Sequence, residues 1–214
     1  MIDEQTKSNK GSFWKELPIL LGVAIVVALL VRQFVVQTFF IPSGSMEHTL
    51  DLDDRVLVNK LVYDFRSPGR GEIIVFEAPE AWRNRPEHED YIKRVIGVAG
   101  DRVFCCDPAD PERRIQVNGH PLDEPYIYPG NKPSVHEFDI VVPAGRLWVM
   151  GDHRQSSGDS LQNWMTSNGD VQLATIPEDS VVGRAFVLFW PFNRWDWLSV
   201  PETFEGVPTA APAG

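Results

Sequence analysis

The chain has 214 residues, a formal net charge of −10 and 43% apolar residues. This length allows one large domain or two small ones, and the apolar content is sufficient for a buried core. The acidic balance argues against a nucleic-acid partner, because such partners select basic surfaces. There is no glycine-rich phosphate-binding motif, and none of the five histidines is spaced as a ligand to the two cysteines. We therefore expect no metal and no organic cofactor.

The two cysteines, Cys105 and Cys106, are adjacent in the chain. Neighbouring Cα atoms lie about 3.8 Å apart, which is shorter than the usual disulfide span of about 4.4–6.8 Å. We therefore predict two half-buried thiols on a strand, since a disulfide between neighbours would be strained.

The N-terminal region combines a polar segment with a long apolar run. Residues 1–16 include lysines, and residues 17–31 contain no charged side chain. The run reaches the roughly 20 residues of a membrane-spanning helix if it includes residues 34–36 and if Arg32 extends toward the headgroups. A cleaved signal peptide is disfavoured because no A-x-A motif follows, and a buried core helix would lack a helical partner. We predict a cytoplasmic tail at 1–16 and a transmembrane anchor at 17–37, with all later residues on the outer face.

The remainder of the chain has the pattern of a β protein. Short runs rich in Val, Ile and aromatic residues alternate with clusters of Gly, Pro, Asn and Asp, and Asn118-Gly119 is a tight-turn signal. We predict an antiparallel sheet assembly over residues 38–200, folded as a sandwich or open barrel. Residues 77–90 and 155–177 are predicted as loops, and residues 201–214 as a flexible tail. The predicted strands are Arg55–Tyr63, Glu72–Phe76, Tyr91–Val98, Arg102–Cys106, Arg114–Val117, Phe138–Val142, Arg146–Met150 and Val181–Trp190.

A segment with two serines, Ile41-Pro42-Ser43-Gly44-Ser45-Met46, follows the predicted anchor. Pro and Gly disfavour a helix there, so the segment should be extended or turned, with exposed hydroxyls. The five residues after Phe40 span at most about 17 Å, which predicts Ser45 near the membrane surface. An ordinary Ser/Gly linker is the alternative interpretation.

A serine needs a base to become a nucleophile. Lys93 lies on a mostly apolar predicted strand and shares a face with Tyr91 and Val95. Burial there would lower its pKa, although a lysine that reaches solvent from an edge strand has the same pattern. The five histidines occupy polar, loop-like contexts, and none is excluded as the base: His48, His88, His120, His136 and His153.

A third segment, Met150–Ser160, follows a predicted strand and concentrates charged and hydroxyl side chains in a turn-rich loop. Loops on a rigid scaffold commonly carry function, but a solvated surface loop has a similar composition. Together the segments IPSGSM, DRVLVNK, YIKRVIGVAGD and MGDHRQSSGDS resemble, in order, the sequence boxes of bacterial type I signal peptidases. The resemblance covers about residues 17–190.

This resemblance implies a membrane-bound serine endopeptidase that removes N-terminal signal peptides from exported preproteins. It implies cleavage after small residues at A-x-A sites, by a mostly β catalytic region without a cofactor. The implied partners are signal peptides, the lipid bilayer and, by proximity, the secretion machinery. No nucleic acid is implied.

The resemblance also implies roles for individual residues. Ser45 matches the nucleophile and Lys93 the general base. The Ser45 backbone N–H and the Ser43 hydroxyl match the oxyanion hole, and Ser157 matches the serine that orients the lysine. The remaining matches are supporting charged residues (Asp159, Arg94 and Asp152) and residues of the substrate subsites (Ile41, Pro42, Met46, Tyr91 and Ile92).

Two positions depart from the family pattern. His48 occupies the place of a common proline, and Leu161 occupies the place of an arginine that usually follows the loop aspartate. Because Leu161 cannot pair with a carboxylate, we predict that Asp159 pairs with Arg154 or Arg94. The histidine at position 153, where asparagine is commoner, resembles actinobacterial members.

Two other classes share part of this pattern. A conjugation-type or self-cleaving Ser/Lys peptidase shares the same pair of residues, but the self-cleaving repressors carry a DNA-binding domain and lack an anchor. A non-catalytic, membrane-tethered β-domain is the second alternative. The presence of both Ser45 and Lys93 argues against it.

Overall fold

The computed structural model describes residues 16–27, 35–83 and 89–210. These residues form four α-helices, six short 3-10 helices and twelve strands. The α-helices are α1 (16–27), α2 (Val62–Phe65), α3 (Ser160–Thr166) and α4 (Val171–Ala174). The strands are β1 (Val36–Phe40), β2 (Arg55–Asn59), β3 (Ile73–Glu77), β4 (Asp90–Gly97), β5 (Arg102–Cys105), β6 (Gln116–Val117), β7 (His120–Pro121), β8 (Phe138–Val141), β9 (Arg146–Met150), β10 (Ile176–Pro177), β11 (Val181–Trp190) and β12 (Asp196–Trp197).

The strands form two antiparallel sheets. The larger sheet has the order β1-β2-β11-β3-β4-β9-β10, with β12 paired to β11, and the smaller sheet has the order β7-β6-β5-β8. Both faces of the larger sheet are buried around β3: Ile73 and Val75 join one apolar cluster, and Ile74 and Phe76 join another. This division follows from the alternation of side chains along a strand. The prediction of a mostly β, antiparallel fold is confirmed.

Local signals account for several of the boundaries. Asn118 and Gly119 have φ values of 53° and 81° and join β6 to β7, as expected for a tight hairpin turn. The strand predicted to run to Tyr63 ends at Asn59. Its side-chain oxygen accepts hydrogen bonds from the backbone N–H groups of residues 61 and 62, which turns the chain into α2.

The predicted membrane anchor lies partly outside the described residues, which omit 1–15 and 28–34. The apolar side chains of α1 are exposed. Within the described ranges, no helix combines the length and the apolar character needed to cross a bilayer. The predicted C-terminal boundary of the anchor, residue 37, was wrong. Val36 and Gln37 belong to β1, because they pair with β2 in a continuous antiparallel register.

The C-terminal segment is ordered over residues 201–210, so the predicted flexible tail was wrong there. Phe204 and Val207 are buried in the core cluster beneath the smaller sheet. The Thr203 hydroxyl accepts a hydrogen bond of 2.8 Å from the Asp123 N–H. A few apolar side chains in a polar stretch are enough to hold the segment against the domain.

Both predicted loops contain buried structure. In the first, Trp82 is buried and its indole N–H donates to the Leu173 carbonyl at 2.8 Å; residues 84–88 lie outside the described residues. In the second, residues 155–177 include α3 and α4. Tertiary packing of isolated apolar residues, which the polar composition conceals, explains both corrections.

Cys105 and Cys106 form a disulfide, and both are buried. The prediction of two half-buried thiols was therefore wrong. It relied on a Cα spacing of about 3.8 Å, whereas the two Cα atoms lie 3.0 Å apart. Cys105 ends β5 and packs in the same core cluster as Phe138 and Trp148.

Candidate active site

Ser45 and Lys93 come from separate parts of the fold and meet at one wall of a groove. Ser45 lies in a short 3-10 helix, Gly44–Met46, which follows β1, and Lys93 lies in the middle of β4. Ile41 and Met46 flank the serine and are packed with Ile92 in one apolar cluster. Burial of these apolar neighbours therefore fixes the serine turn against the lysine strand.

The Ser45 hydroxyl and the Lys93 amine are in direct contact. Lys93 Nζ lies 2.7 Å from Ser45 Oγ and 2.9 Å from the carbonyl oxygen of Ile92. Lys93 is 4% exposed and Ser45 is 7% exposed. Nζ also lies 5.5 Å from the centre of the Tyr91 ring, which agrees with the predicted shared face. Among the described histidines, none hydrogen-bonds to Ser45 Oγ.

The environment of Lys93 favours the neutral amine. Burial lowers the pKa of Lys93 to about 8, against the opposing influence of the Asp159 and Asp152 carboxylates, which raise it. Burial also raises the pKa of Asp159, although the Gly151 N–H and the positive charge of Lys93 act in the opposite direction. Half of the Lys93 amines are therefore neutral near pH 8.

The loop between β9 and α3 packs against the segment that carries Ser45. The backbone N–H of His153 donates to the Ser45 carbonyl at 3.1 Å. The N–H of Gly151 donates to an Asp159 carboxylate oxygen at 2.9 Å. A Cβ at position 151 would overlap with Ser45 O and Ser157 Oγ. Only glycine therefore lets the loop approach the serine this closely.

Asp159 does not pair with an arginine in the described part of the chain, so that prediction was wrong. Its carboxylate caps α3 by accepting the N–H groups of Leu161 and Gln162 at 3.1 and 3.4 Å, a role that suits aspartate at a helix N-terminus. The two arginines that we expected as partners bind other carboxylates: Arg94 binds Asp152, and Arg154 binds Glu124. Leu161 is buried in the core below α3.

Asp152 connects the segment that carries Ser45 to the strand that carries Lys93. Its two carboxylate oxygens accept hydrogen bonds from the Arg94 guanidinium at 2.6 and 2.9 Å. One of them also accepts from the Thr49 hydroxyl at 2.5 Å. Asp152 and Arg94 are both almost fully buried, and the guanidinium lies 4.1 Å from the centre of the Tyr126 ring. Thr49 and Tyr126 were not predicted as site residues, because no local sequence pattern marks either residue.

The two accessory serines have different environments. Ser43 is exposed, and its Oγ lies 3.5 Å from Ser45 Oγ. Ser157 Oγ is buried and makes no hydrogen bond of ordinary geometry to any described group, although it is close enough to lower the pKa of Asp159.

His48 has a backbone conformation that proline cannot adopt. Its φ is 84°, whereas a proline ring holds φ near −65°. Its N–H donates to an Asp51 carboxylate oxygen at 3.2 Å, and its Nδ1 lies 3.0 Å from the Tyr126 carbonyl oxygen. The turn after the serine is therefore built differently from one that contains proline.

The groove beside Ser45 has a volume of about 320 Å³. One wall is the end of β1 and the segment that follows it, and the other wall is the first half of β4. Met46, which we predicted to contact substrate, does not line the groove, because its side chain is fully buried in the core. The groove is lined by Phe39, Phe40, Ile41, Pro42, Ser43, Ser45, Val75, Asp90, Tyr91, Ile92, Lys93, Ser156 and Gly158.

The site holds a serine hydroxyl in contact with a buried lysine, and it lies at the wall of a groove between extended segments. This arrangement is typical of serine hydrolases that bind an extended substrate. The family model described as signal peptidase, peptidase S26, matches residues 14–190. The chain belongs to this family and is a serine endopeptidase.

Two relatives agree with the family match in sequence, and one solved structure resembles part of the chain. A probable signal peptidase I-2 of Synechocystis sp. is 38% identical, over 98% of this chain and 88% of that protein. A probable signal peptidase I of Mycobacterium leprae is 33% identical, over 92% of this chain and 83% of that protein. A crystal structure of a signal peptidase I from Enterococcus faecalis V583 superposes with a TM-score of 0.39 at 24% identity, covering 56% of this chain and 97% of the other.

Proposed function

We propose that this chain removes N-terminal signal peptides from exported preproteins, with Ser45 as the nucleophile and Lys93 as the general base. The observation that carries the proposal is the 2.7 Å contact between Lys93 Nζ and Ser45 Oγ, two buried atoms at the wall of a groove. Relatives that share most of the chain are named signal peptidase I, which supports signal peptides as the substrate.

The chemistry begins when neutral Lys93 accepts the Ser45 proton and Oγ attacks the scissile carbonyl carbon. The distance between Lys93 Nζ and Ser45 Oγ is already short enough for proton transfer. The Ser45 N–H is in the first turn of its 3-10 helix, where backbone donors lack partners within the helix. We assign this N–H and the Ser43 hydroxyl to the developing oxyanion, where one such donor contributes about 3–4 kcal/mol.

The Lys93 ammonium then protonates the departing amine, which leaves an acyl-enzyme at Ser45. Water, deprotonated by the same amine, hydrolyses the ester and regenerates the serine. We assign Ser157 and Asp159 to orienting the amine through this cycle, because the Asp159 carboxylate interacts electrostatically with Lys93 and Ser157 lies close to Asp159. Arg94 and Asp152 support catalysis indirectly, because they hold the segment that carries Ser45 against the strand that carries Lys93.

This mechanism predicts how activity depends on pH. Since only neutral Lys93 is a base, kcat/KM should rise about tenfold per pH unit at low pH and level off above about 8. The Asp159 carboxylate stabilises the ammonium, so Asp159→Asn should move the midpoint to lower pH. A purely structural defect would lower the whole profile without moving its midpoint. An unmoved midpoint in this variant would contradict the electrostatic role.

The substrate would lie extended along the groove, parallel to the segment Ile41–Ser43 and to the first half of β4. In an extended chain, the first and third residues before the cut point to the same side. We place their side chains against Ile41, Pro42, Tyr91 and Ile92, which line the groove, and we propose that only small side chains are accepted there.

A preprotein series tests this proposal. Starting from an A-x-A substrate, phenylalanine is placed at the first, second or third residue before the cut. We expect kcat/KM to fall about 10- to 100-fold at the first and third positions. The second position is the matched control and should tolerate the change. Equal cleavage of all four substrates would contradict a signal-peptide specificity.

We also propose that a membrane anchor that begins at residue 17 and ends before β1 places the N-terminus in the cytoplasm and the catalytic region on the outer face, close to the secretion machinery. A cluster of exposed aromatic side chains supports this position: Trp190, Phe192, Trp195 and Trp197. Trp190 aligns with Arg55, which in turn pairs with Phe40 at the end of β1. The aromatic cluster therefore lies at the Phe40 end of β1, where the chain continues to Ser45, and such residues favour the membrane interface.

Removing two of these aromatics should reduce contact with lipid. In proteoliposomes of the full chain, brominated lipid should quench much less tryptophan fluorescence after Trp195→Ser and Trp197→Ser than before. Trp164→Phe is the matched control. It changes a partly buried residue of α3 and should leave the lipid-dependent quenching intact. Unchanged quenching in the double variant would place the cluster away from the bilayer.

A further inference from the structure

A carboxylate is held beside the nucleophile, outside the groove. The groove lining includes Ser43 and Ser45 but not Glu47 or His153. An ideal Cβ on Gly44 would lie 2.8 Å from the carboxyl carbon of Glu47, so this carboxylate covers the residue next to Ser45. Because consecutive Cα atoms lie 3.8 Å apart, the carboxylate is within about 8 Å of the Ser45 Cα.

The Glu47 carboxylate is fixed in place by His153. Nδ1 of this histidine lies 3.0 Å from Glu47 Oε2 and 3.2 Å from the Gly44 carbonyl oxygen. The imidazole stacks on Tyr128, with ring centres 4.2 Å apart and planes 11° apart. The backbone N–H of His153 donates a hydrogen bond to the Ser45 carbonyl oxygen. The side chains of Glu47 and His153 remain 28% and 18% exposed, so an incoming chain can reach them.

We propose that Glu47, positioned by His153, determines specificity for the residues that follow the scissile bond. The inference rests on the proposed function. If the signal peptide fills the groove up to Ser45, the mature part of the preprotein leaves on the other side of the nucleophile. Two extended residues span about 7 Å, which is the range of the Glu47 carboxylate. A fixed negative charge there favours basic side chains over acidic ones at the first two mature positions.

Two substrates that differ at one residue test this inference. Both carry the same A-x-A site, and the second residue after the cut is lysine in one and glutamate in the other. For the unaltered chain we expect kcat/KM to favour lysine by about three- to fivefold, the range of a partly exposed charge pair. Glu47→Gln should bring the ratio close to one, and Glu47→Lys should invert it. Raising the ionic strength should shrink the preference.

The ratio of kcat/KM for the lysine substrate to kcat/KM for the glutamate substrate distinguishes a specificity role of Glu47 from a structural one, because a weakened fold lowers both values together. Glu137→Gln removes the same charge from an exposed residue beside the cavity at Cys106 and should leave the ratio unchanged. Equal cleavage of the two substrates by the unaltered chain, or a lysine preference that survives Glu47→Gln, would overturn the inference. Absence of any cleavage by the unaltered chain would instead overturn the proposed function, and this inference with it.

Discussion

Replacing Lys93 with methionine should lower kcat/KM for preprotein cleavage by at least about 10³-fold, the upper range for the loss of a general base. The variant keeps most of the side-chain volume but cannot accept the Ser45 proton. Stability should not fall, because the change removes an amine whose charged form is disfavoured by burial. The measurement is single-turnover cleavage of a preprotein, with a thermal unfolding curve on the same sample.

Lys60→Met is the matched control for this experiment. Lys60 follows β2 and is partly exposed, and its side chain takes no part in the groove. Cleavage by this variant should stay within about twofold of the unaltered chain, as expected for a surface change far from the chemistry. Substantial cleavage by a folded Lys93→Met protein would assign the base to another group.

Replacing Asp152 with alanine should have the largest effect on stability among the site residues. The change leaves the Arg94 guanidinium buried without its carboxylate and removes the acceptor of Thr49. Breaking a buried pair in this way typically costs about 3–5 kcal/mol of the free energy of unfolding. Urea denaturation of the full chain in detergent measures the effect, and activity should fall because the two catalytic segments lose their connection.

The chain offers a matched surface pair for comparison. Arg102 and Asp139 also form a two-pronged ion pair, but both side chains are exposed. Asp139→Ala should therefore barely move the urea midpoint, because solvent screens exposed pairs. Similar shifts for Asp152→Ala and Asp139→Ala would contradict the central structural position of Asp152.

Local patterns predicted the parts of the site that depend on local chemistry. A lysine on an apolar strand is close to its final environment whatever the topology. The predicted shared face of Lys93 and Tyr91 agrees with the structure, and of the two interpretations left open for Lys93 the structure shows the buried one. The Asn118-Gly119 turn was predicted for a similar reason, since its φ values depend on two residues alone.

Features that depend on distant partners were not predicted correctly. Asp159 was expected to pair with an arginine, but the nearby arginines are bound to Asp152 and Glu124, and Glu124 lies about thirty residues earlier in the chain. The burial of Met46 likewise follows from the packing of the serine turn on β4. At the N-terminus, the apolar sequence that resumes after Arg32 and Gln33 conceals the start of β1, because an apolar edge strand and a membrane helix have similar compositions.

The central claim, that Ser45 is the nucleophile of a signal peptidase, is tested most directly by cleaving one secretory preprotein with the full chain in detergent and sequencing the new N-terminus. Ser45→Ala is compared with Ser199→Ala, an exposed serine outside the groove. The account predicts a cut directly after the A-x-A motif, lost in the first variant and retained in the second. Cleavage at that bond by a folded Ser45→Ala protein, or a cut elsewhere by the unaltered chain, would contradict it.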